Sequence, residues 1–233
     1  MMVDRTYDRA VAQALDFSHC MDFTHNRTKV YAGTYADCGS MDVIVLTAGA
    51  NPKPGQTRLD ILEEAESIAK DIVVPIMDSG FRGIFVIAAN PVDIVTYMFV
   101  AWSHVTIGGK PIMHIMEQHK ERFKHLDLED IARKTKDAGW EIFTRKGSTQ
   151  FGIGNALAHI TRSILNDEHK IIAVSAILDG EYGQRNVCAG VPAIIGGDGI
   201  QEIIELNLDA SEREKFERSC EVLSGSINRL TLV

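Results

Sequence analysis

The order strand, helix, strand, with strands that are apolar without interruption, predicts an α/β fold built on a doubly wound parallel sheet. Three observations carry that prediction. Asp42 to Thr47 (DVIVLT) and Gly83 to Ala88 (GIFVIA) are continuous apolar, β-branched runs, as strands buried on both sheet faces should be. Between them, from about Arg58 to Ser79, the residues Leu59, Leu62, Ile68, Ile72, Val73 and Ile76 recur at helical spacing, with Gly80 as the stop. Each run ends in a turn-rich stretch, where a parallel sheet places its loops.

The remaining elements follow in chain order. A helix fits Asp8 to Phe17, and Val30 to Thr34 reads as a short strand. Past residue 100 the pattern becomes α+β: helices at about Asp127 to Arg145 and Thr149 to Asn166, then strands near Ile171 to Leu178, Val187 to Ile195 and Ile200 to Leu206. Gly196-Gly197-Asp198-Gly199 is a turn between the last two strands. The closing helix starts at about Asp209, where Asp209 and Glu212 can form a capping box, and sets Phe216, Cys220, Leu223, Ile227 and Leu230 on one face. We draw the boundary near residue 100, dividing the chain into domains 1–100 and 101–233.

Composition narrows the partners. A formal net charge of −8 supplies no basic footprint for nucleic acid or an anionic membrane, which leaves a small molecule as the expected partner. No apolar run reaches the roughly 18 residues of a membrane helix. Cys20, Cys38, Cys188 and Cys220 contain no C-x-x-C pair and read as reduced structural thiols, so we expect a cytoplasmic protein without a zinc site. His114, His119 and His125 are not spaced to put two ligands on one helix face.

In open α/β sheets ligands sit beyond the carboxyl ends of the strands, so the loops after Thr47 and Ala88 are the places to look. The first reads Thr47-Ala48-Gly49-Ala50, then Lys53-Pro54-Gly55-Gln56-Thr57-Arg58-Leu59-Asp60; the second reads Asn90-Pro91-Val92-Asp93. These motifs, in this order, resemble the lactate/malate dehydrogenase superfamily on its bacterial L-lactate dehydrogenase side. Lys146-Gly147-Ser148-Thr149, the stretch Ser175 to Gly183 (SAILDGEYG) and Gly190-Val191-Pro192-Ala193 resemble that family's C-terminal domain. The resemblance implies a Rossmann-like NAD-binding domain followed by an α+β substrate domain. It also implies an NAD-dependent L-2-hydroxyacid dehydrogenase, reducing pyruvate-like 2-oxo acids, that assembles as a homotetramer or homodimer.

Carried over position by position, the resemblance makes Asp4 the acid that takes the adenosine ribose hydroxyls of NAD. Thr47, Ala48 and Gly49 become the backbone bed under the cofactor. Arg58 becomes the mobile-loop arginine that polarises the substrate carbonyl. Asn90 meets substrate and nicotinamide, Thr149 lines the substrate pocket, and Ile153 packs on the nicotinamide ring. On the residues alone, four of these have plainer readings: Asp4 a solvated acid, the T-A-G-A turn a connection, Arg58 a solvated helix residue, Ile153 a core position of an amphipathic helix. Pro52 stands where the family carries Gln for lactate or Arg for malate. Proline cannot pair a second carboxylate, which argues against malate, the alternative substrate.

The chain departs from the family pattern in two places. The family's histidine, held by an aspartate, and its carboxylate-gripping arginine lie between the N-P-V-D helix and the strand with W-S-H. Here Ile94-Val95-Thr96-Tyr97 runs straight into Met98-Phe99-Val100-Ala101-Trp102-Ser103-His104, and several dozen residues that the resemblance implies are missing. His104 follows that motif's place and reads as a polar residue on a strand. The first strand and its G-x-G-x-x-G turn are expected ahead of Asp4, where the sequence has Met1, Met2 and Val3. Gly152-Ile153-Gly154-Asn155-Ala156-Leu157 follows no strand and does not replace it. We expect a longer natural enzyme with these stretches restored; a truncated, noncatalytic relative is the alternative.

Overall fold

The computed structural model describes residues 1–24, 27–50, 62–88 and 99–227. In the first half, helix α1 (Tyr7–Thr24) is followed by a 3-10 helix (Tyr35–Ser40), strand β1 (Val43–Leu46), helix α2 (Leu62–Asp78) and strand β2 (Ile84–Ile87). β1 and β2 pair in parallel, Val43 against Ile84 through Leu46 against Ile87. Their register starts where Ile84 N–H donates to Asp42 O at 2.9 Å. Gly83 allows that approach, because a Cβ there would lie 2.1 Å from the same carbonyl oxygen.

This pair separates two apolar clusters. On one face Ile44, Leu46 and Phe85 pack with Ile72, Ile76 and Phe81, so α2 covers that side. On the other, Val43, Ile84 and Val86 pack with Ile164, Ala193 and Ile195 from the second half of the chain. The coverage is incomplete: Val45 is 42 % and Ile87 51 % exposed, where the sequence predicts burial on both faces. The cause is topological, since among the described residues β1 is bonded to β2 alone.

The strand expected at 30–34 shrinks to a single parallel bridge, Ala32 to Met2, with Met2 N–H donating to Tyr31 O and Gly33 N–H to Met2 O. Met1 and Val3 nevertheless pack on the same apolar cluster as Ile44.

The second half opens with a 3-10 turn (Trp102–His104), a two-residue hairpin of β3 (Thr106–Ile107) and β4 (Lys110–Pro111), and short helices α3 (Ile112–Gln118) and α4 (Lys120–Phe123). His104 therefore lies in a 3-10 turn, not on the strand expected for it; the strand pairing begins only at Thr106. Helix α5 (Leu128–Lys146) is capped by Asp127, whose carboxylate accepts from Glu129 and Asp130 N–H, and ends at Gly147 with φ +81°. Helix α6 (Phe151–Leu165) then leads into an antiparallel sheet of β5 (Lys170–Asp179), β6 (Arg185–Gly196) and β7 (Gly199–Ile203), and helix α7 (Ala210–Ile227) closes the described chain.

β6 is central, and its inward residues Val187, Ala189 and Val191 are nearly sealed against Leu178, Phe216 and Cys220. Ser163 ties α6 to this sheet by donating to Ile195 O at 3.0 Å, with no exposure of its own. The capping box at α7 is formed reciprocally: Glu212 N–H donates to Asp209 Oδ1 at 2.8 Å and Asp209 N–H to Glu212 Oε2 at 3.2 Å.

Candidate functional site

Because β1 and β2 run in parallel, the chain leaves both at one edge, and Ala88 N–H, just past β2, donates to Leu46 O at 2.8 Å. Beyond Leu46 the exposure changes abruptly: Thr47 and Ala48 are exposed, Gly49 is half-buried and Ala50 is buried. Small side chains, an open backbone and an anchored Ala50 make a bed on which a ligand can lie close to the main chain.

Asp4 lies two residues past the Met2–Ala32 bridge, at the carboxyl end of that segment. Its Oδ1 accepts from Thr6 N–H at 2.8 Å, immediately before α1. The Tyr35 phenol is pushed upward, first by burial and then by the negative charge of Asp4. Among the described residues no other group donates to the Asp4 carboxylate, which leaves acceptor capacity for hydroxyls.

α6 brings the second half of the chain to the same sheet. Ile153, Leu157, Ile160 and Ile164 form one stripe at helical spacing. Leu157, Ile160 and Ile164 are in the shared core, whereas Ile153 is 46 % exposed. Ile164 and Leu165 line a cleft with Asp42, Val43 and Ile84 at the amino ends of the parallel strands. At about 1.5 Å per residue, Ile153 is about 16 Å back along the helix from that cleft, so the stripe outruns the core it packs on. The core reading of Ile153 is thereby corrected: the stripe is longer than the surface it packs on. Thr149 is exposed just ahead of this helix, beside Lys146, whose Nζ stands 4.6 Å from the Phe151 ring centroid.

The structure thus groups Thr47, Ala48 and Gly49 at one strand end and Thr149 with Ile153 at one helix start. No hydrogen bond among the described residues joins the two groups, or either of them to Asp4. Pro52, Arg58 and Asn90 lie outside the described residues.

Sequence reasoning missed one polar cluster. Glu212, only 5 % exposed, accepts from Ser103 N–H at 3.0 Å and from the Ser103 hydroxyl at 2.5 Å, in addition to its capping bond. Burial pushes its carboxyl upward, but the donors from Ser103 and Asp209, with the attraction of His104, hold it below the ordinary glutamate range. The capping-box pattern gave Glu212 a sufficient local role, and nothing in the sequence points 109 residues back to Ser103.

The family comparisons agree with this architecture. The model of the lactate/malate dehydrogenase NAD-binding domain matches residues 1–109, and that of the family's alpha/beta C-terminal domain matches residues 96–231. The chain is 47 % identical to L-lactate dehydrogenase 3 of Bacillus thuringiensis subsp. konkukian, over 96 % of this chain and 87 % of that protein. Among solved structures, the minor L-lactate dehydrogenase of Enterococcus mundtii in its ligands-bound form superposes with a TM-score of 0.91 at 34 % identity, covering 99 % of this chain and 90 % of that one. Malate dehydrogenase of Archaeoglobus fulgidus in complex with NADH gives a TM-score of 0.79 at 27 % identity, covering 98 % and 89 %. With a relative this similar along nearly its whole length, and both domain models matched, the chain belongs to the lactate/malate dehydrogenase family.

Proposed function

We propose that the protein is an NAD-dependent L-lactate dehydrogenase, interconverting pyruvate and L-lactate. The carrying observation is its identity of 47 % to a protein of that name across 96 % of the chain. Pro52 supports the monocarboxylate reading over malate, since it offers no cation to a second carboxylate. We place the two domains at 1–100 and 101–233, a boundary that falls inside the 96–109 overlap of the family matches. Glycolytic NAD regeneration, the cytoplasm and a homotetramer or homodimer complete the reading. The free state of all four cysteines fits the cytoplasm, and among the described residues no helix is long and apolar enough to cross a membrane.

The chemistry of the donor set fits the two ends of an NAD molecule. A carboxylate with spare acceptor capacity suits ribose hydroxyls, and an exposed aliphatic side chain suits the face of a flat ring. When bound, the nicotinamide supplies or accepts the hydride. The chain's own residues do the rest. Asp4 accepts from the adenosine ribose; Thr47, Ala48 and Gly49 keep side chains out of the way; Ile153 covers the ring and excludes water. Asn90 orients the substrate oxygen, Arg58 stabilises the charge that develops on it, and Thr149 with Pro52 bounds the pocket.

One observation favours the second reading, a noncatalytic relative. The aligned span with the Bacillus protein is 274 positions against 233 residues in this chain, so the relative has residues within that span that this chain does not. They are expected between Tyr97 and Met98, where the resemblance sets the proton-carrying histidine. Intact mass and turnover on one preparation decide between the readings. A mass above the 25.7 kDa of this sequence, with NADH oxidised by pyruvate in preference to oxaloacetate, supports the dehydrogenase. A mass of 25.7 kDa without turnover supports the noncatalytic relative. Preference for oxaloacetate overturns the lactate assignment.

A further inference from the structure

The chain re-enters the described structure at Phe99, and one face of α7 receives it. Glu212 and Phe216 are four residues apart and so share that face. Phe216 meets the Phe99 ring edge-on at 6.5 Å between centroids, and Glu212 takes both the N–H and the hydroxyl of Ser103. The segment 99–103 is therefore gripped by an apolar contact and by a buried anion.

The same cluster dictates the protonation pattern of a histidine. Ser103 Oγ lies 2.7 Å from His104 Nδ1 and 2.5 Å from Glu212 Oε2. A hydroxyl has one proton, and an ionised carboxylate can only accept. The Ser103 proton thus goes to Glu212, and the short contact to Nδ1 is a hydrogen bond only if Nδ1–H donates to Oγ. His104 is exposed, and none of the described hydrogen bonds or ion pairs involves its Nε2.

We propose that Glu212 is a positioning residue that acts on His104 through Ser103: it holds the imidazole as the Nδ1–H tautomer and presents unprotonated Nε2 outward, as an acceptor for an incoming hydrogen-bond donor. No bond is made or broken in this arrangement. Two substitutions change it in a defined way. Ser103→Ala removes the acceptor for Nδ1–H. Glu212→Ala removes the carboxylate that takes the Ser103 proton, so the hydroxyl is free to donate to Nδ1 and the proton to sit on Nε2. Ser103→Thr keeps the hydroxyl and serves as the conservative control.

The test is long-range proton–nitrogen NMR of the full chain at about pH 8.5, where an ordinary imidazole is neutral. The His104 signals are assigned by their loss in His104→Gln. The expected result is protonated Nδ1 in the wild type and in Ser103→Thr, with the proton moved predominantly to Nε2 in Ser103→Ala and Glu212→Ala. A wild-type Nε2–H tautomer overturns the proposal, as does Nδ1–H persisting in either of those last two variants. If Glu212→Ala does not fold, the Ser103 pair decides alone, since Ser103 is exposed and its hydroxyl can be removed without emptying a core site. A merely structural role for Glu212 would change the melting temperature and leave the tautomer alone.

Discussion

At the scale of single residues, burial sorts the four cysteines into different reactivities. Cys220 has no exposure, and burial, followed by the charge of Glu217, pushes its thiol up to about 11. Cys38 is also raised, first by burial, while Cys20 stands exposed on α1. The thiolate is the reactive species, so at neutral pH iodoacetamide should label Cys20 and leave Cys220 and Cys38 unmodified until denaturant is added. Peptide mapping of the alkylated protein checks this, and early labelling of Cys220 would contradict the packing around α7. The cysteines were legible in the sequence as free thiols because none has a partner at metal or redox spacing, but Cys20, exposed, departs from the structural reading given to all four. Which of them is sealed was not legible, because exposure depends on residues brought in from distant strands.

At the scale of elements, the N-terminus of α7 carries a pH dependence of stability. Glu212 is held below the ordinary glutamate range in the folded chain, so it binds protons less readily there than when unfolded. Its contribution is fully present above the unfolded glutamate value and is lost as the pH falls through the lower, folded value. Denaturant midpoints measured from neutral pH downward should fall less steeply in Glu212→Gln than in the wild type, with the gap between the two closing in acid. An equal slope in both proteins would mean that Ser103 and Asp209 do not hold the carboxylate. α7 also shows how far local pattern carries. Its start at Asp209, its capping box and its apolar stripe through Phe216 and Cys220 follow from spacing alone. The strand expected at 30–34 did not form beyond one bridge, because β-branched residues propose a strand and only a neighbour with a free edge completes it. His104 was assigned to a strand because the resemblance sets W-S-H on one, whereas a 3-10 turn anchored on Glu212 holds it. In the candidate site, the open backbone at Thr47 and Ala48 was legible because small residues follow the carboxyl end of a parallel strand. The position of Ile153 was not, because it depends on where the core beneath α6 stops.

At the scale of the whole molecule, the parallel pair and the three-stranded sheet are unequal. β5 and β6 share a ladder from Lys170–Ile195 to Asp179–Arg185, extended on its far side by β7 and backed by α7. β1 and β2 share four residue pairs, with Val45 and Ile87 open to solvent. Amide protons should report that inequality as a hierarchy of opening. In native-state hydrogen exchange, the amides of Val187, Ala189 and Val191 should persist longest and exchange only through global unfolding. Those of Ile44 and Val86 should exchange earlier, through a local opening with a smaller denaturant dependence. Coincident exchange of both sets would mean that the shared cluster of Val86, Ile164 and Ile195 welds the sheets into one cooperative unit. Separate exchange would mean that the parallel pair, with its candidate ligand edge, can come apart and reclose while the rest of the fold stays intact, and a ligand seated on Thr47 to Gly49 would then slow the early set alone.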